Sequence, residues 1–534
     1  MYKAKSAFAA AIPFSRSTLA KSFLLLLWIA IAAFPARAQT APAAAGAPAE
    51  KEKTGCANGH DFATTDCALT WHGITVYGAY DVGAGWVSHG LPENGYNYEG
   101  ESLVNRNGFQ HRFLVAPNNL SQTGLGIRGK EDFLPGWAVV FNASTGINPQ
   151  SGLLANASDT DIINNGLPRS SYSIAIDGAR AGQPFNDEYF AGVSSKYAGT
   201  LTFGRQRALG TDTMLQYDPA NGSYAFSYIG YNGTMAGGGD TEDSRWDDAV
   251  KYRLTYGPVH FGAMYKFADG SAGCYSAAAT WTAANCTPES AHNNAYGFNL
   301  GGSEGKFSAD IVYQHYNQAI SVLNPLLGAQ SLAAPYQSTT DSINTNPING
   351  VNLIATNNTV YGIVTDNNAV MTTAKYSSET FKVFAGYEYI WQNNPKDPLG
   401  VGAADQGGYI MSGVEDNNLD SEKLVQIWWT GAKYSYRHTD ATLAWYQQRQ
   451  NDFRKPPTCS TDPSIGNMRA SCAGSLNEGS FYLDHHFSKR FDSFAGVAYS
   501  YVKGGLDIAI PHGPGVPYKS DNNFAPTVGS RFTF

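Results

Sequence analysis

The chain has 534 residues, 57 of them Gly and 32 Tyr, with 15% charged residues, a mean hydropathy of −0.29 and a formal net charge of −8. Charge is well below the roughly 25% usual in globular domains, yet the sequence is too polar for a helical membrane protein. A Tyr- and Gly-rich, charge-poor chain that is still polar is what alternating strands give when one face meets lipid and the other meets water.

The first element in chain order is a targeting segment. Lys3, Lys5, Arg16 and Lys21 precede the apolar run "FLLLLWIAIAAF" from Phe23 to Phe34. About a dozen residues are too few for a helix that needs about 20 to span a bilayer. The "ARA" at Ala36–Ala38 supplies small residues for cleavage. Residues 1–38 therefore read as a secretory signal, with an uncleaved anchor as the alternative. Its removal leaves 31 Lys+Arg against 44 Asp+Glu, a net charge of −13, which argues against nucleic acid as a partner.

Residues 39–70 form an N-terminal extension, first Ala/Pro-rich and then holding Cys56 and Cys67. From residue 71 to 534 the period is two. In "GITVYGAYDVGAGW", Ile74, Val76, Tyr80, Val82 and Trp86 share one face; Thr75, Ala79, Asp81 and Gly83 share the other. "AVKYRLTYG" sets Val250, Tyr252, Leu254 and Tyr256 against Lys251 and Arg253, and "FKVFAGYEYIW" behaves likewise. The runs are about twice the usual strand length. They predict about sixteen strands of roughly 9 to 14 residues, the length of a tilted transmembrane strand.

Connections alternate between tight ones, such as 377–382 and 436–443, and long polar ones, including about 206–245, 268–294, 317–368 and 453–477. This is the pattern of a closed antiparallel transmembrane β-barrel with short turns at one rim and long loops at the other. The sheet has to close, because an open edge in lipid leaves backbone groups unpaired. The ending "VGSRFTF" fits: the last strand pairs with the first, so the chain can stop inside the sheet, with Phe532 and Phe534 on one face.

Six cysteines fall in local pairs, Cys56 with Cys67, Cys274 with Cys286, and Cys459 with Cys472. The intervals are too long for C-x₂₋₄-C and no His stands at ligand spacing, so disulfides rather than zinc are expected. No metal or cofactor site is read, and no catalytic residues. "GLGIRG" (Gly124–Gly129) matches a dinucleotide-binding string, but its alternation runs straight through it. "GGSEG" (Gly301–Gly305) matches a nucleophile elbow, but no helix follows. His485 and His486 are adjacent in a strand, so they point to opposite faces.

The ordered set "ITVYGAYDVG", "GLGIRGKEDF", "AGVSSKYAGTLTFGRQ" and the Phe-terminated last strand resembles the Gram-negative general-diffusion porin family over nearly the whole mature chain. The resemblance implies a trimeric 16-stranded barrel in the outer membrane, with periplasmic turns and a third loop folded into the lumen. It also implies a C-terminal strand read by the barrel assembly machinery, and an acidic loop facing a basic wall. Carried over by position, the wall residues are Arg205 and Arg245, joined by Lys251, Arg253 and Arg128. Alternation from Arg253 puts Arg245 and Asp247 on the lumen face, whereas it puts Arg205 with Leu201 and Phe203. The loop acids are Asp212, Asp218, Asp240, Glu242 and Asp243. Gly124 and Ala79 stand where family members carry basic residues, so the basic ladder is thinner here. Small hydrated solutes would diffuse passively. Trp428, Trp429 and Trp445, together with the long loops, suggest the alternative of a channel specific for sugars or organic acids; a surface adhesin is the reading from another class.

Overall fold

The computed structural model describes residues 55–88, 111–117, 119–147, 184–231, 244–268, 292–323, 360–397, 402–406, 409–415, 419–453, 472–507 and 522–534, with positions 149, 152 and 154. All of them fall in one compact unit, Ala43–Phe534. Strand β1 (Leu69–Trp71) folds back on β2 (Ile74–Val87), and β3 (Arg112–Pro117) and β4 (Gly124–Leu134) pair with successive halves of β2. Then come β5 (Trp137–Gly146), β6 (Glu188–Ser195), β7 (Gly199–Arg207), β8 (Arg245–Tyr256), β9 (Val259–Lys266) and β10 (Ala295–Glu304). They are followed by β11 (Phe307–Leu323), β12 (Val360–Ser377) and β13 (Phe381–Asn393), each antiparallel to the one before. β14 (Gly402–Gln406) and β15 (Tyr409–Glu415) form a side hairpin, so β13 pairs directly with β16 (Lys423–Tyr436). β17 (Thr439–Gln450), β18 (Gly474–His486), β19 (Phe491–Gly504) and β20 (Asn522–Thr533) complete the wall.

With β3 and β4 counted as two halves of one strand, and β1, β14 and β15 set aside, the wall has sixteen strands. It closes between β20 and β2, in register from Ala79↔Thr533 to Gly85↔Thr527. Gly78 and Phe534 exchange two further backbone bonds of 3.0 Å. The last residue of the chain is thus part of the ladder, which satisfies donors and acceptors that lipid would leave unpaired.

The two faces separate as the period of two requires. Leu125, Ile127, Leu201, Phe203, Phe481 and Leu483 are exposed on the outer face. Thr202, Ser480 and Asp484, in the alternate positions, are buried inside. Short-turn connections, such as those after β4, β6, β8, β10 and β18, take two to four residues. "GLGIRG" is simply the start of β4, and no helix follows "GGSEG" at the end of β10. His485 reaches Thr439, while His486 lies 3.5 Å from Asp440 and 3.6 Å from Asp492.

At the short-turn rim the N-terminal extension is fastened to the seam. Cys56 and Cys67 form a disulfide around the helix Gly59–Thr64, whose first N–H groups are capped by Asn58. β1 pairs with Ile74–Val76 of β2, so it takes up the edge of β2 where β20 stops. Arg490, in the β18–β19 turn, donates to the carbonyls of Phe62 and Cys67, and its guanidinium lies 4.0 Å from the Phe62 ring centre. Phe62 in turn meets Phe532 edge-on at 6.4 Å. Cys472 is also disulfide-bonded, to a partner outside the described residues; Cys274, Cys286 and Cys459 lie outside them too. Arg490→Ala is expected to lower the temperature at which the folded band is lost on heated gels, since it frees two carbonyl acceptors and a cation–π contact. An unchanged midpoint would mean that Arg490 does not hold the extension.

Candidate functional site: the inward-folded third loop

The connection between β7 and β8 would need only a few residues to join neighbouring strands. Instead it enters the lumen, and residues 208–231 of it lie along the inner wall. Its helix, Leu209–Tyr217, follows directly from the end of β7. The Gly210 N–H donates to Gln314 on β11, and the Tyr217 hydroxyl donates to Asp310 at 2.7 Å. Asp310 also meets His260 at 2.9 Å and Asn299 at 3.0 Å, so both of its oxygens are engaged. The helix C-terminal carbonyls are taken by Lys375 Nζ, which bonds Gln216 O at 3.1 Å, and by Trp429 Nε1, which bonds Tyr217 O at 3.1 Å. These are the carbonyls a helix end leaves without an internal partner.

Asp218 then turns the chain. Its carboxylate accepts from the Tyr446 hydroxyl at 2.6 Å, the Gly222 N–H at 2.7 Å and the Ala220 N–H at 3.3 Å. Beyond it Phe226 stacks on Tyr482 at 4.7 Å, and its carbonyl accepts from Ser480 Oγ at 2.6 Å. The tip ends at Asn119, whose carbonyl accepts from Ser223 Oγ and from the Ala225 N–H. Two glycines make this close docking possible. A Cβ on Gly386 would sit 2.0 Å from the Trp429 ring, and one on Gly431 would sit 2.5 Å from Pro219. An apolar cluster including Leu209, Met214, Ile229, Trp246, Ile427 and Trp429 fills the space between loop and wall.

The charged residues form a second layer at the loop's base. Asp212 meets Lys251 at 2.6 Å and also pairs with Arg253. Lys251 donates in addition to the Arg207 carbonyl at 2.6 Å. Asp187, just before β6, takes Arg245 at 2.7 Å and Arg207 at 3.1 Å. Tyr77 donates to Asn142, which donates to Glu188, and Arg128 lies 5.2 Å from the Tyr77 ring centre.

Strict alternation fails between β7 and β8, and the reason is visible. The β7–β8 register runs Gly204↔Ala249 and then Gln206↔Trp246, so Asp247 and Asp248 stand opposite Arg205 alone. Such a bulge re-aims side chains. Trp246 and Ala249 are consequently both buried, and Arg245 and Asp247 do not share the face of Lys251 and Arg253 by period two. Arg205 is also buried, donating to Asn186 O at 3.1 Å and pairing with Asp247 at 2.8 Å. Thus Lys251 and Arg253 meet the loop acid Asp212, whereas Arg205 and Arg245 meet acids outside the loop. Asp218 is buried in the loop's own turn. Asp240, Glu242 and Asp243 lie outside the described residues. Asp187, Glu188, Arg207, Tyr77 and Gln314 belong to the site without being singled out by the sequence; the "NDE" at the start of β6 and the second Arg of "GRQR" are signals for the first three, and nothing local marks Tyr77 or Gln314. The three tryptophans divide: Trp429 is buried under the loop, while Trp445 is exposed on the outer face and Trp428, next to Trp429 in the strand, points outward with it.

Two loop carboxyls are displaced in opposite senses. Burial raises Asp212, but Arg253 and Lys251 outweigh it and hold the carboxyl below its ordinary value. Burial dominates at Asp218 and pushes it up, despite the donors from Tyr446 and Gly222. Burial also raises the Tyr217 hydroxyl, with Asp310 adding to it. For Asp212 the ionic hold is complete above the unfolded value of about 3.9 and is lost as pH falls through the lowered one. For Asp218 the sign reverses: its anion costs stability as pH rises through the raised value, so acid protonates it first without opposing the fold. Channel conductance is therefore expected to stay steady from neutral pH to about pH 4 and to rise only below it. A step well above that pH would mean that Asp212 does not fasten the loop.

Among the described residues, Asp484, His486 and Asp492 form the carboxylate–imidazole group closest to metal spacing. Arg531 pairs with Asp492 at 2.5 Å and with Asp484 at 3.5 Å, so protein charge already compensates it.

The model of a family described as Gram-negative porin matches residues 26–505. Among solved structures, the anion-selective porin from Comamonas acidovorans is 13% identical, with a TM-score of 0.51, covering 86% of this chain and 99% of that one. In-vitro-folded OmpT, an outer membrane protein of Vibrio cholerae, is 11% identical with a TM-score of 0.47, covering 88% and 99%. Salmonella typhi OmpF in complex with daunomycin is 13% identical with a TM-score of 0.41, covering 86% and 97%. At such identities the likeness is one of fold, and the first of the three carries it. No curated protein sequence matches the chain.

Proposed function

The chain belongs to the Gram-negative porin family and is an outer-membrane channel protein; from that premise we propose that it passes small hydrophilic solutes and ions by passive diffusion, with its third loop setting the narrowest point. The observation that carries the reading is the docking of residues 208–231 along the inner wall, fastened at Asp212, Tyr217, Asp218 and Phe226. A loop held at so many points narrows the lumen permanently instead of moving in solvent. No energy source or reacting group is needed, because a polar passage with fixed charges selects by size and field.

Five basic side chains, Arg128, Arg207, Arg245, Lys251 and Arg253, accompany three carboxylates, Asp187, Glu188 and Asp212, around the loop's base. This balance supports a mild preference for anions, felt most at low salt, where the Debye length is about 10 Å at 0.1 M. Arg128→Ala is expected to shift the reversal potential across a KCl gradient toward cations, with the shift shrinking at high salt. No shift at low salt would remove Arg128 from the permeation path.

The signal at residues 1–38, the periplasmic position of the extension 39–70 and reading of Phe532 and Phe534 by the barrel assembly machinery are part of the same proposal. So is a homotrimer embedded in outer-membrane lipid, since an apolar outer face suits lipid and a neighbouring subunit equally. Native mass measurement in mild detergent checks the trimer. The sugar- or acid-specific alternative loses its aromatic support, because none of the three tryptophans lines an open passage: one is buried and two point outward.

A further inference from the structure

We propose that Asp81 is the positioning residue that fixes the far end of the constriction loop, through a socket built at a break in the second wall strand. This rests on the channel reading above and adds the residue that holds the constriction in place.

The wall strand facing β2 is interrupted between β3 and β4. An interruption inside a barrel leaves backbone N–H groups without ladder partners, a costly state away from water. The Asp81 side chain, fully buried on β2, supplies the missing acceptors. Its Oδ1 accepts from the Asn119 N–H at 3.0 Å and from Asn119 Nδ2 at 3.2 Å. Its Oδ2 accepts from the Leu120 N–H at 2.8 Å and the Ser121 N–H at 2.9 Å. The Asp81 backbone is engaged as well: its N–H donates to Thr123 Oγ1 at 2.9 Å, and its carbonyl accepts from the same hydroxyl at 3.1 Å. Both edges of the break are therefore tied to one residue. Arg531, the cross-strand partner of Asp81, is itself engaged with Asp492 and Asp484.

What this arrangement holds in place is the receptor for the loop tip. With its N–H turned to Asp81, Asn119 presents its carbonyl to the lumen, where Ser223 Oγ and the Ala225 N–H bind it. Leu120 joins Ala220, Ala225, Phe226, Tyr482 and Phe494 in one apolar cluster. Gln122 accepts from the Tyr224 hydroxyl at 3.3 Å. An unbroken strand would spend the Asn119 carbonyl in the ladder and leave the tip nothing to bind. The break is thus a docking feature, and Asp81 stabilises it.

The test is single-channel recording of the full-length mature protein reconstituted in planar bilayers, with Asp81→Ala and Asp81→Asn beside the wild type. Both variants are expected to show raised conductance and severalfold more open-channel fluctuation, with Asp81→Asn milder because it retains one acceptor oxygen. A merely structural role would lower the heat-unfolding midpoint on gels and leave open-channel noise unchanged. A cycle with Phe226→Ala separates the two further, since residues acting through one contact are non-additive. In the Phe226→Ala background the effect of Asp81→Ala on noise is expected to vanish. If Asp81→Ala does not fold, Ser223→Ala combined with Ala225→Pro cuts the same contact from the loop side and has to give the same noisy channel. Folded variants with wild-type conductance and noise overturn the proposal. A wild type that conducts nothing overturns the channel reading itself.

Discussion

Asp218→Ala is expected to give a larger and noisier channel while the barrel remains folded. The carboxylate gathers the Tyr446 hydroxyl and two backbone N–H groups at a buried turn. At this buried turn truncation strands those donors, at about 1–3 kcal/mol for each unsatisfied group. The turn leads into the contacts of Phe226 with Tyr482 and Ser480, so its loss frees the tip of the loop as a unit. The wall ladders do not depend on it. Conductance and current noise in planar bilayers check this, with the heat-unfolding gel as the control. A quiet channel of wild-type conductance would show that Asp218 does not hold the loop.

The second large effect is expected from Lys251→Met. Lys251 is almost fully buried and joins Asp212 on the loop to the carbonyl of Arg207 on the wall. Methionine fills similar space without charge, so packing changes little while Asp212 is left to Arg253 alone. Removing one cation from the mixed-charge wall lowers the local anion concentration and raises that of cations. Reversal potentials across a KCl gradient should move toward cations by a severalfold change in permeability ratio, diminishing toward 1 M salt, where the Debye length is about 3 Å. Asp212→Asn should move them the other way. Equal shifts of the same sign in both variants would mean that loop geometry, not charge, sets selectivity.

Much of the architecture is legible in the sequence because a strand with lipid on one face and water on the other has to alternate. Leu125 and Ile127 against Arg128, or Leu201 and Phe203 against Thr202, settle their faces with no tertiary information. Closure at Phe534 follows from the same physics. The site is less legible, because its contacts are decided by pairing partners far away in the chain. Nothing local in "RWDDAV" marks the bulge opposite Arg205, yet that bulge carries Arg245 off the face that period two assigns to it. Gln314, Tyr446 and Ser480 look like any inward-facing strand residues until the loop is laid on them. Trp428 and Trp429 read as one aromatic pair, although a period of two necessarily sends one inward and one outward. The break between β3 and β4, and its use as the receptor for the loop, appear only in the fold.

The most direct test of a water-filled channel narrowed by its third loop is the conductance of the purified mature protein in planar bilayers over a series of KCl concentrations. Discrete ohmic steps that grow in proportion to salt are expected, with larger steps for Asp218→Ala at every concentration. An absence of steps, or a conductance that saturates and is identical in the two proteins, would contradict a channel of that kind.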